Sequence, residues 1–369
     1  MSHIIGGSRR LGVRKQRKLF FNSYIYIGMK RYGYLYDKII SMDNLRIADK
    51  NARKGKTHTY GVRLFDKDRE GKLYKLHLAL RNKTYHTSEY DIFVIHEPKE
   101  RVIYRLPYYP DRIVHHAIMN ILEPIWRSVF TYNTYSCIEG RGIEACAKRV
   151  SEIISRFPID KPLYCLKIDI RKYYPSINHD VMKRIVRRKI KDADTLWLLD
   201  EIIDSADGLP IGNYISQYLA NLYLAYFMHW LNETEKVLAT EYADDIVCFS
   251  DSKEALHELL GKMRVRIEDE LRLEVKDNWQ VFPISINRYD NQGRALDYVG
   301  YQFFKGQKLM RKQIKQNLCK ETDKLLKRGV RGKELRERLS PWLGWAEHSN
   351  SRHLLKKIGV FNNSKDIII

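Results

Sequence analysis

The sequence predicts an α+β fold, and three observations support this prediction. Apolar residues recur at helical spacing in several segments, as they do in amphipathic helices. Between these segments lie short, densely apolar runs of the kind that form buried strands. The chain has 369 residues, 44% of them apolar, which is enough for two or three packed subdomains around a sizeable core.

The N-terminal part begins with a basic arm, residues 1–18, which contains six Lys and Arg and no acid. No apolar core of the length that a signal peptide needs follows it. Helical and short extended patterns mix over residues 25–90. The segment VIYRL, residues 102–106, predicts a strand that the next prolines end, and Asp111 is the predicted N-cap of the helix DRIVHHAIMNILEPIW.

The central part carries the clearest strand patterns. LYCLKIDI, residues 163–170, predicts a strand that ends in an acid, and a helix with a basic face is predicted over residues 178–190. The longest apolar stretch, residues 215–231, is interrupted by polar side chains and predicts a buried helix rather than a membrane span. The segment TEYADDIVCFS predicts two short strands around a tight turn at Ala243-Asp244.

The C-terminal part changes character along its length. A helix is predicted over residues 252–271, and short strands over 280–285 and 297–304. From residue 305 onward the pattern is helical and basic, with 17 Lys and Arg against 6 Asp and Glu, a net charge of +11. A solvated helical face is one interpretation of this tail. The concentration of half the chain's charge there favours contact with nucleic acid.

The overall charge indicates a polyanionic partner. The net charge is +21, from 66 Lys and Arg against 45 Asp and Glu, so nucleic acid and an anionic membrane surface are the two candidates. The chain also contains 25 tyrosines, and aromatics mixed with basic side chains suit a groove that follows phosphates and stacks bases. The five cysteines are scattered, so they predict no zinc site or disulfide framework, and a reducing cytoplasm fits best.

Three acids in apolar surroundings are the main functional signal. Asp169 ends a predicted strand, and Asp244 and Asp245 lie at the tip of a predicted hairpin. An unpaired carboxylate against a core is costly, and binding a divalent cation would explain it. Two metal ions can activate an attacking hydroxyl and stabilise a leaving group in phosphoryl transfer. Taken alone, an Asp-Asp turn is more often structural, because Asp is a common turn former.

Five sequence blocks, in order, resemble the reverse transcriptase family. LKIDIRKYYPSI (166–177) resembles the block with the first catalytic aspartate, GLPIGNYISQYLANLYL (208–224) the nucleotide-pocket block, and YADD (242–245) the YxDD motif. LRLEVK (271–276) and the glycine-containing DYVGYQFF (297–304) resemble the two later blocks, the last associated with the primer grip. Five ordered blocks over residues 97–305 are far more specific than any single motif.

The resemblance is narrower at the pocket block. Most reverse transcriptases carry Gln before the glycine and Ser-Pro after it, whereas this chain has Ile211 and Ser216-Gln217. The pattern IGxxxSQ resembles reverse transcriptases of diversity-generating retroelements. That resemblance implies error-prone cDNA made from a template-repeat RNA, with mutations directed to adenines, and a small basic accessory protein. No residue indicates that partner independently.

The resemblance implies a right-hand polymerase fold with fingers, an antiparallel-sheet palm and a short helical thumb. The implied boundaries are residues 19–160 for the N-terminal and fingers region, 161–305 for the palm with a fingers insertion near 181–208, and 306–369 for the thumb. Two Mg²⁺ ions are implied, with Asp169 and Asp244 as ligands of both, Asp245 as an auxiliary ligand, and the carbonyl of Ile170 completing one shell.

The resemblance also implies roles at the incoming nucleotide. Tyr174 stands where a ring excludes the 2′-hydroxyl, although a plain packing aromatic is the alternative. Arg101 is expected to bind the triphosphate, since Arg makes bidentate phosphate contacts. The remaining candidates for nucleotide binding are Arg112, for which a surface salt bridge is equally compatible, Lys276, for which a surface lysine is plausible, Ile211, Gly212 and Gln217.

Nucleic-acid contacts are expected from Tyr242, Gly300, Lys312 and Lys315, with template RNA, an RNA–DNA heteroduplex and deoxynucleotides as partners and no membrane. The pair His115-His116 is interpreted as structural or RNA-contacting rather than metal-binding, because adjacent helix positions diverge in direction. Two alternatives stay open. One is a reverse transcriptase of a retron, a group II intron or a phage-defence system, and the other is a non-catalytic RNA-binding protein on the same scaffold.

Overall fold

The computed structural model describes residues 30–96 and 100–360, and the predicted basic arm lies outside them. The helices, numbered in chain order, are α1 (Tyr36–Ile40), α2 (Met42–Ala52), α3 (Tyr60–Asp66), α4 (Arg69–Arg81), α5 (Ile113–Arg127), α6 (Ile143–Ile154), α7 (Tyr173–Ser176), α8 (His179–Arg187), α9 (Ala193–Ile203), α10 (Tyr214–His229), α11 (Lys253–Val265), α12 (Lys312–Lys327), α13 (Gly332–Glu347) and α14 (Arg352–Lys357). The strands are β1 (Asp91–Ile95), β2 (Arg101–Arg105), β3 (Tyr164–Asp169), β4 (Leu238–Tyr242), β5 (Asp245–Ser250), β6 (Gln280–Pro283), β7 (Leu296–Tyr298), β8 (Tyr301–Phe303) and β9 (Lys308–Met310).

The described residues form two compact units, and each unit is discontinuous in the sequence. The first contains the residues up to Ser128 together with Asn178–Leu219, and the second contains Val129–Ile177 together with the residues from Ala220 onward. Helices and antiparallel sheets both contribute, so the predicted α+β class is confirmed. The division into fingers, palm and thumb stays a prediction.

Hydrogen bonds join two distant stretches of chain in the first unit. Tyr32 forms a parallel bridge with Ile190. Oδ2 of Asp192 accepts the backbone N–H groups of Leu35 at 2.6 Å and Tyr36 at 3.0 Å. Because the first N–H groups of a helix have no partner within it, Asp192 satisfies donors at the start of α1.

A buried carboxylate holds the helices of the first unit together. Asp49 is fully buried on α2, and Arg53 and Arg69 pair with it at 2.9 and 2.7 Å. The hydroxyl of Tyr108 also donates to Asp49. Asp49 is the buried member of this network, whereas its two arginine partners are partly exposed, and Arg53 also pairs with Asp66 at 2.8 Å.

The first unit contains one strand that the sequence did not predict and corrects the prediction for Asp111. The segment before the predicted strand forms β1, which pairs antiparallel with β2 in a largely exposed hairpin. Asp111 does not cap α5, which begins at Ile113 with no side-chain cap. Its carboxylate is buried and accepts hydrogen bonds from the hydroxyl of Tyr85 at 2.8 Å and the N–H of Ser88 at 3.0 Å. The carboxylate therefore binds a segment distant in sequence instead of the start of α5.

The second unit contains a four-stranded antiparallel sheet in the order β4-β5-β3-β6. The predicted strand before Asp169 and the predicted hairpin around Ala243-Asp244 are both confirmed as β3 and β4–β5. Apolar side chains of β3 and β5, including Cys165, Val247 and Phe249, pack on α6 and on a second sheet of order β7-β8-β9.

The second sheet corrects the strand predicted over residues 297–304. A tight turn at Val299-Gly300, where φ is 40° and 81°, splits it into β7 and β8, with Tyr298 opposite Tyr301. The tail after it is helical, as predicted. Helices α12, α13 and α14 share an apolar cluster that includes Leu318, Leu325 and Leu339. Within the described ranges, every helix is too short or too polar to cross a bilayer.

Candidate active site

The register of the sheet brings two of the predicted aspartates together. Asp169 is the last residue of β3, and it lies directly opposite Asp245, the first residue of β5. Side chains directly opposite in an antiparallel pair project from the same face as close neighbours. Asp244 belongs to the two-residue turn before β5, where Ala243 has a φ of 57°. The three acids predicted from the sequence therefore meet at one end of the sheet.

Several carboxylates lie close together at this end of the sheet, and their charges affect one another. Burial, together with the neighbouring charges of Asp169 and Asp245, raises the pKa of Asp244 to about 6, and Lys276 acts in the opposite direction. Oδ2 of Asp169 accepts from Nζ of Lys276 at 2.5 Å. Its Oδ1 is buried and has no hydrogen-bond partner among the described residues. Nζ of Lys167 lies 3.8 Å from Oδ1 of Asp245.

Asp169 and Asp244 fit a divalent cation. They supply hard oxygen donors, an unpartnered buried oxygen and a mutual repulsion that a cation would relieve. The three predicted ligands do not form one preformed group, since no three His, Cys, Asp or Glu side chains within the described ranges converge as a metal cage. Mg²⁺ suits such an incomplete set, because it is usually bound by one or two carboxylates together with phosphate oxygens and water.

The predicted block 271–276 lies beside the end of β3. Ile170 forms an antiparallel bridge with Val275, and the flanking bonds run from the Lys276 N–H to the Asp169 carbonyl and from the Arg171 N–H to the Glu274 carbonyl. The backbone of Ile170 itself is therefore directed away from this segment, as in a non-hydrogen-bonded antiparallel pair. Lys276 reaches Asp169 through both its backbone and its ammonium group.

The chain turns sharply after this bridge. Lys172 has a φ of 45°, and α7 follows at once. The ring of Tyr174 is half-buried and meets the ring of Tyr173 edge-on at 5.7 Å, while the hydroxyl of Tyr173 donates to the Ala220 carbonyl at 2.6 Å. Tyr173 thus anchors the short helix that presents Tyr174 five residues after Asp169.

In the first unit, the Ile211-Gly212 segment is tied to the β1–β2 hairpin. The N–H of Tyr104 on β2 donates to the carbonyl of Ile211 at 2.8 Å. Gly212 has a φ of 126°, and a Cβ added there would lie 2.4 Å from the carbonyl oxygen of Tyr104. Only glycine allows this close approach of two backbones. Arg101 begins β2 opposite Ile95, and its side chain is exposed.

The other nucleotide-site candidates of the first unit have distinct environments. Arg112 is half-buried at the start of α5, and burial lowers the pKa of its guanidinium. Gln217 is exposed on α10. Asn221 of the same helix lies in the second unit, is buried and donates to the Ser136 carbonyl at 2.7 Å.

The two histidines are structural in character. His115 is buried, which lowers its pKa to about 3. The ring of His116 stacks on that of Tyr214, with centroids 4.1 Å apart and an angle of 16° between the planes. Burial, helped by the charges of Lys56 and Arg112, lowers the pKa of His116 to about 4.

The predicted nucleic-acid residues all lie in the second unit. Tyr242 ends β4 and is half-buried against the apolar core, and Lys312 and Lys315 are exposed on the first turn of α12. Gly300 lies against Trp345 of α13, because a Cβ there would be 2.3 Å from the ring. Close packing therefore accounts for glycine at this position.

Two charged residues on the strands that carry the site were not singled out from the sequence. Glu241, on β4, is fully buried, and burial raises its pKa to about 8. Its Oε2 accepts the hydroxyl of Thr134 at 3.0 Å, and its backbone pairs with the segment Asn133–Tyr135. Lys167 lies two residues before Asp169. In both cases, a charged residue inside an otherwise apolar strand could have indicated a residue of interest.

Comparisons with known proteins identify the family of this chain. Residues 96–303, more than half of the chain, match the family model described as "Reverse transcriptase (RNA-dependent DNA polymerase)". Protein YkfC of Escherichia coli (strain K12) is 27% identical over 139 residues, 35% of this chain and 36% of that protein. Nuclear intron maturase 4, mitochondrial, of Arabidopsis thaliana is 23% identical over 148 residues, 37% of this chain and 18% of that protein. The chain thus matches about a third or less of the length of these relatives.

Similar solved structures include two fungal telomerases. Apo telomerase from Candida tropicalis has a TM-score of 0.45 at 11% identity, covering 60% of this chain and 48% of that one. Telomerase from Candida albicans in complex with a TWJ fragment of telomeric RNA also has a TM-score of 0.45, at 12% identity, covering 77% and 56%.

Proposed function

This chain belongs to the reverse transcriptase family, and from that premise we propose that it catalyses RNA-directed DNA synthesis. The observation that carries the proposal is the pair Asp169 and Asp244, two crowded carboxylates of which one has a buried, unpartnered oxygen. Mg²⁺ ions bound there would help the primer 3′-hydroxyl attack and the pyrophosphate leave. The chain's own part is to hold these carboxylates in place, because phosphoryl transfer depends on positioning and charge neutralisation.

Within this proposal, the residues around Asp169 and Asp244 have separate roles. Asp245 is an auxiliary acid, and the Ile170 carbonyl supplies a further oxygen donor. Lys276 fixes Asp169 through the 2.5 Å contact. The ring of Tyr174 excludes a 2′-hydroxyl and so selects deoxynucleotides.

The nucleotide and the nucleic acid would be bound by the other predicted residues. We assign the triphosphate to Arg101, assisted by Arg112, because a guanidinium makes bidentate contacts with phosphate. The nascent base pair would meet Ile211 and Gly212, with Gln217 nearby in sequence. Template RNA and the heteroduplex would be held by backbone contacts to the basic tail, including Lys312 and Lys315, and near Tyr242 and Gly300.

Primer extension on an RNA template with Mg²⁺ and four deoxynucleotides tests this function. The wild type should make DNA, whereas Asp169→Asn and Asp244→Asn should lose at least about a thousandfold in rate, as expected when a metal ligand of this chemistry is removed. Asp251→Asn is the matched control, because Asp251 is an exposed acid just beyond β5. RNA binding should persist in all three variants.

The outcomes separate the two classes of function. DNA synthesis that survives Asp244→Asn would refute the assignment of the site. An absence of product from the wild type, with RNA binding intact even when an accessory protein is supplied, would favour a non-catalytic RNA-binding role.

We further propose that the chain serves a diversity-generating retroelement in the cytoplasm of a bacterium or of a phage-infected cell. Ile211 and Ser216-Gln217 support this setting, because they replace the usual Gln and Ser-Pro. An apolar contact discriminates poorly between ligands that differ in polar groups, so Ile211 would permit errors opposite template adenine. A template-repeat RNA and a small basic accessory protein are the partners this setting requires.

Sequencing the extension products tests the setting. Ile211→Gln should lower misincorporation opposite adenine while preserving the rate of synthesis. An unchanged error spectrum in that variant would refute the role of Ile211. Accurate synthesis by the wild type would move the chain to a retron or intron setting, which its similarity to an intron maturase also accommodates.

A further inference from the structure

Lys167 lies between Cys165 and Asp169 on the face of β3 that packs on the apolar core. Successive strand residues alternate between faces, so Lys167 shares its face with Cys165 and Asp169. Across the strand pair it lies opposite Val247, which is fully buried. The side chain of Lys167 is only 27% exposed. An ammonium group in such surroundings must have partners, because its burial is otherwise costly.

The partners of Lys167 come from β7 and β5. Its Nζ donates to the carbonyl of Asp297 at 3.0 Å and lies 5.8 Å from the centre of the Tyr298 ring. The same nitrogen is 3.8 Å from Oδ1 of Asp245. Lys167 therefore connects β7 to the second aspartate of the YADD turn.

A second contact from β7 reaches the same residue. The hydroxyl of Tyr298 donates to the backbone carbonyl of Asp245 at 3.0 Å. Asp245 is thus held at its main chain by Tyr298 and at its side chain by Lys167. β7 is itself fixed by Arg311, which precedes α12 and donates to Asp297 at 2.7 Å.

We propose that Lys167 is a positioning residue that fixes the Asp245 carboxylate at the edge of the catalytic site. This inference rests on the proposed polymerase function. In this arrangement Lys276 orients Asp169 and Lys167 orients Asp245, so each of the two paired strand-end acids has its own lysine. Asp244, in the turn between the strands, is then left to face the reacting phosphates beside Asp169.

The test measures single-nucleotide incorporation in Lys167→Met and Lys167→Arg. Lys167→Met should lower kcat at least about tenfold with the KM for deoxynucleotide changed less than about twofold, the pattern of an interaction that matters in the transition state. Lys167→Arg, which keeps the charge, should recover most of the loss. Lys183→Met is the matched control, because Lys183 is 26% exposed and ion-paired with Asp204 in the first unit. That control should keep the wild-type kcat.

A double-mutant cycle with Asp245→Asn shows whether Lys167 acts through Asp245. In the Asp245→Asn background, Lys167→Met should lower kcat by less than about twofold further, because contacting residues that act together are non-additive. Additive losses would overturn the proposal. So would a wild-type kcat in Lys167→Met, or a failure of Lys167→Arg to recover activity, which would indicate a merely structural lysine.

Hydrogen exchange provides a measurement that does not depend on catalysis. Peptides covering residues 242–248 should exchange faster in Lys167→Met than in the wild type, and Lys183→Met should leave them unchanged. Unaltered exchange in Lys167→Met would overturn the proposal even if the wild type made no DNA. Loss of product in the wild type with the expected exchange pattern would refute the polymerase function alone.

Discussion

Gly212 allows the sharpest test of how the predicted pocket segment is built. Replacing it with alanine adds one methyl group, which would lie 2.4 Å from the carbonyl oxygen of Tyr104. The obstructing atom belongs to the backbone of β2, so no side-chain rotation can relieve the contact. The φ of 126° is also unfavourable for any residue with a Cβ.

The size of the effect follows from three contributions. Holding a non-glycine residue in a rare backbone conformation costs about 1–3 kcal/mol. Forcing an extra methyl group into a packed site costs about 1–3 kcal/mol. Losing the hydrogen bond from Tyr104 to Ile211 costs about 1 kcal/mol. Because relaxation of the loop would relieve part of the crowding, we expect a local destabilisation of about 2–6 kcal/mol.

Hydrogen exchange at Tyr104 is the direct assay, because its N–H donates to the Ile211 carbonyl at 2.8 Å. At about 1.4 kcal/mol per factor of ten, Gly212→Ala should accelerate exchange in residues 101–106 at least about tenfold. Primer extension should fall in parallel.

Gly261→Ala is the matched control. Gly261 lies within α11, and nothing approaches its added Cβ within 4 Å. Alanine there should raise stability by up to about 1 kcal/mol, because glycine is a poor helix former. Wild-type protection of Tyr104 in Gly212→Ala would refute the reasoning about the close backbone approach.

Three further predictions concern stability. In the folded protein the pKa of Glu241 is about 8, above its ordinary value of 4.5. The protonated carboxyl therefore contributes its full stabilisation to the folded state below pH 4.5, and this contribution is lost as the pH rises to 8. Between pH 6 and 8.5 the wild type should lose about 2 kcal/mol more than Glu241→Gln in urea unfolding, and parallel curves would contradict this. Gly300→Ala should displace Trp345, cost about 1–3 kcal/mol and shift tryptophan fluorescence, whereas an unchanged spectrum would contradict the packing. Asp49→Ala should cost about 1–3 kcal/mol, because the hydroxyl of Tyr108 loses its carboxylate acceptor while Arg53 keeps its ion pair with Asp66, and a loss below about 0.5 kcal/mol would show that the network is dispensable.

The parts of the site that the sequence predicted are those encoded locally. A dense apolar run before Asp169, and two such runs around Ala243-Asp244, specify β3 and the β4–β5 hairpin. Because the strand and the hairpin tip both carry acids, we expect these acids to lie close together. The strand register confirms this for Asp169 and Asp245, which lie directly opposite each other.

The parts that were missed depend on partners distant in sequence. Asp111 has the composition of an N-cap, but Tyr85 and Ser88 bind its carboxylate. The turn at Val299-Gly300 interrupts an apolar run, and Trp345, far along the chain, lies against its glycine. Neither contact can be predicted from the local pattern of apolar and polar residues.

β1 was missed for a different reason. All five of its residues are exposed, including Ile92 and Val94, so its sequence shows no alternation between buried and solvated faces. Pairing with β2, rather than burial, makes it a strand.

The interleaving of the two units along the chain has a consequence for protein synthesis. Leu35 and Tyr36 leave the ribosome long before Asp192, the acceptor for their N–H groups, has been translated. Domains generally fold as units during synthesis, from the N-terminus onward. The first unit cannot follow that order, because the second unit's residues 129–177 must be made before its own last segment emerges.

The same interleaving determines which fragments of the protein can fold. A chain that stops at residue 128 lacks Ile211, whose carbonyl accepts the N–H of Tyr104. It also lacks Asp192, whose carboxylate accepts N–H groups at the start of α1. Any cut between residues 128 and 178 therefore yields two pieces, neither of which contains a complete first unit. Co-expression of the two pieces, rather than either one alone, is the way to reconstitute it.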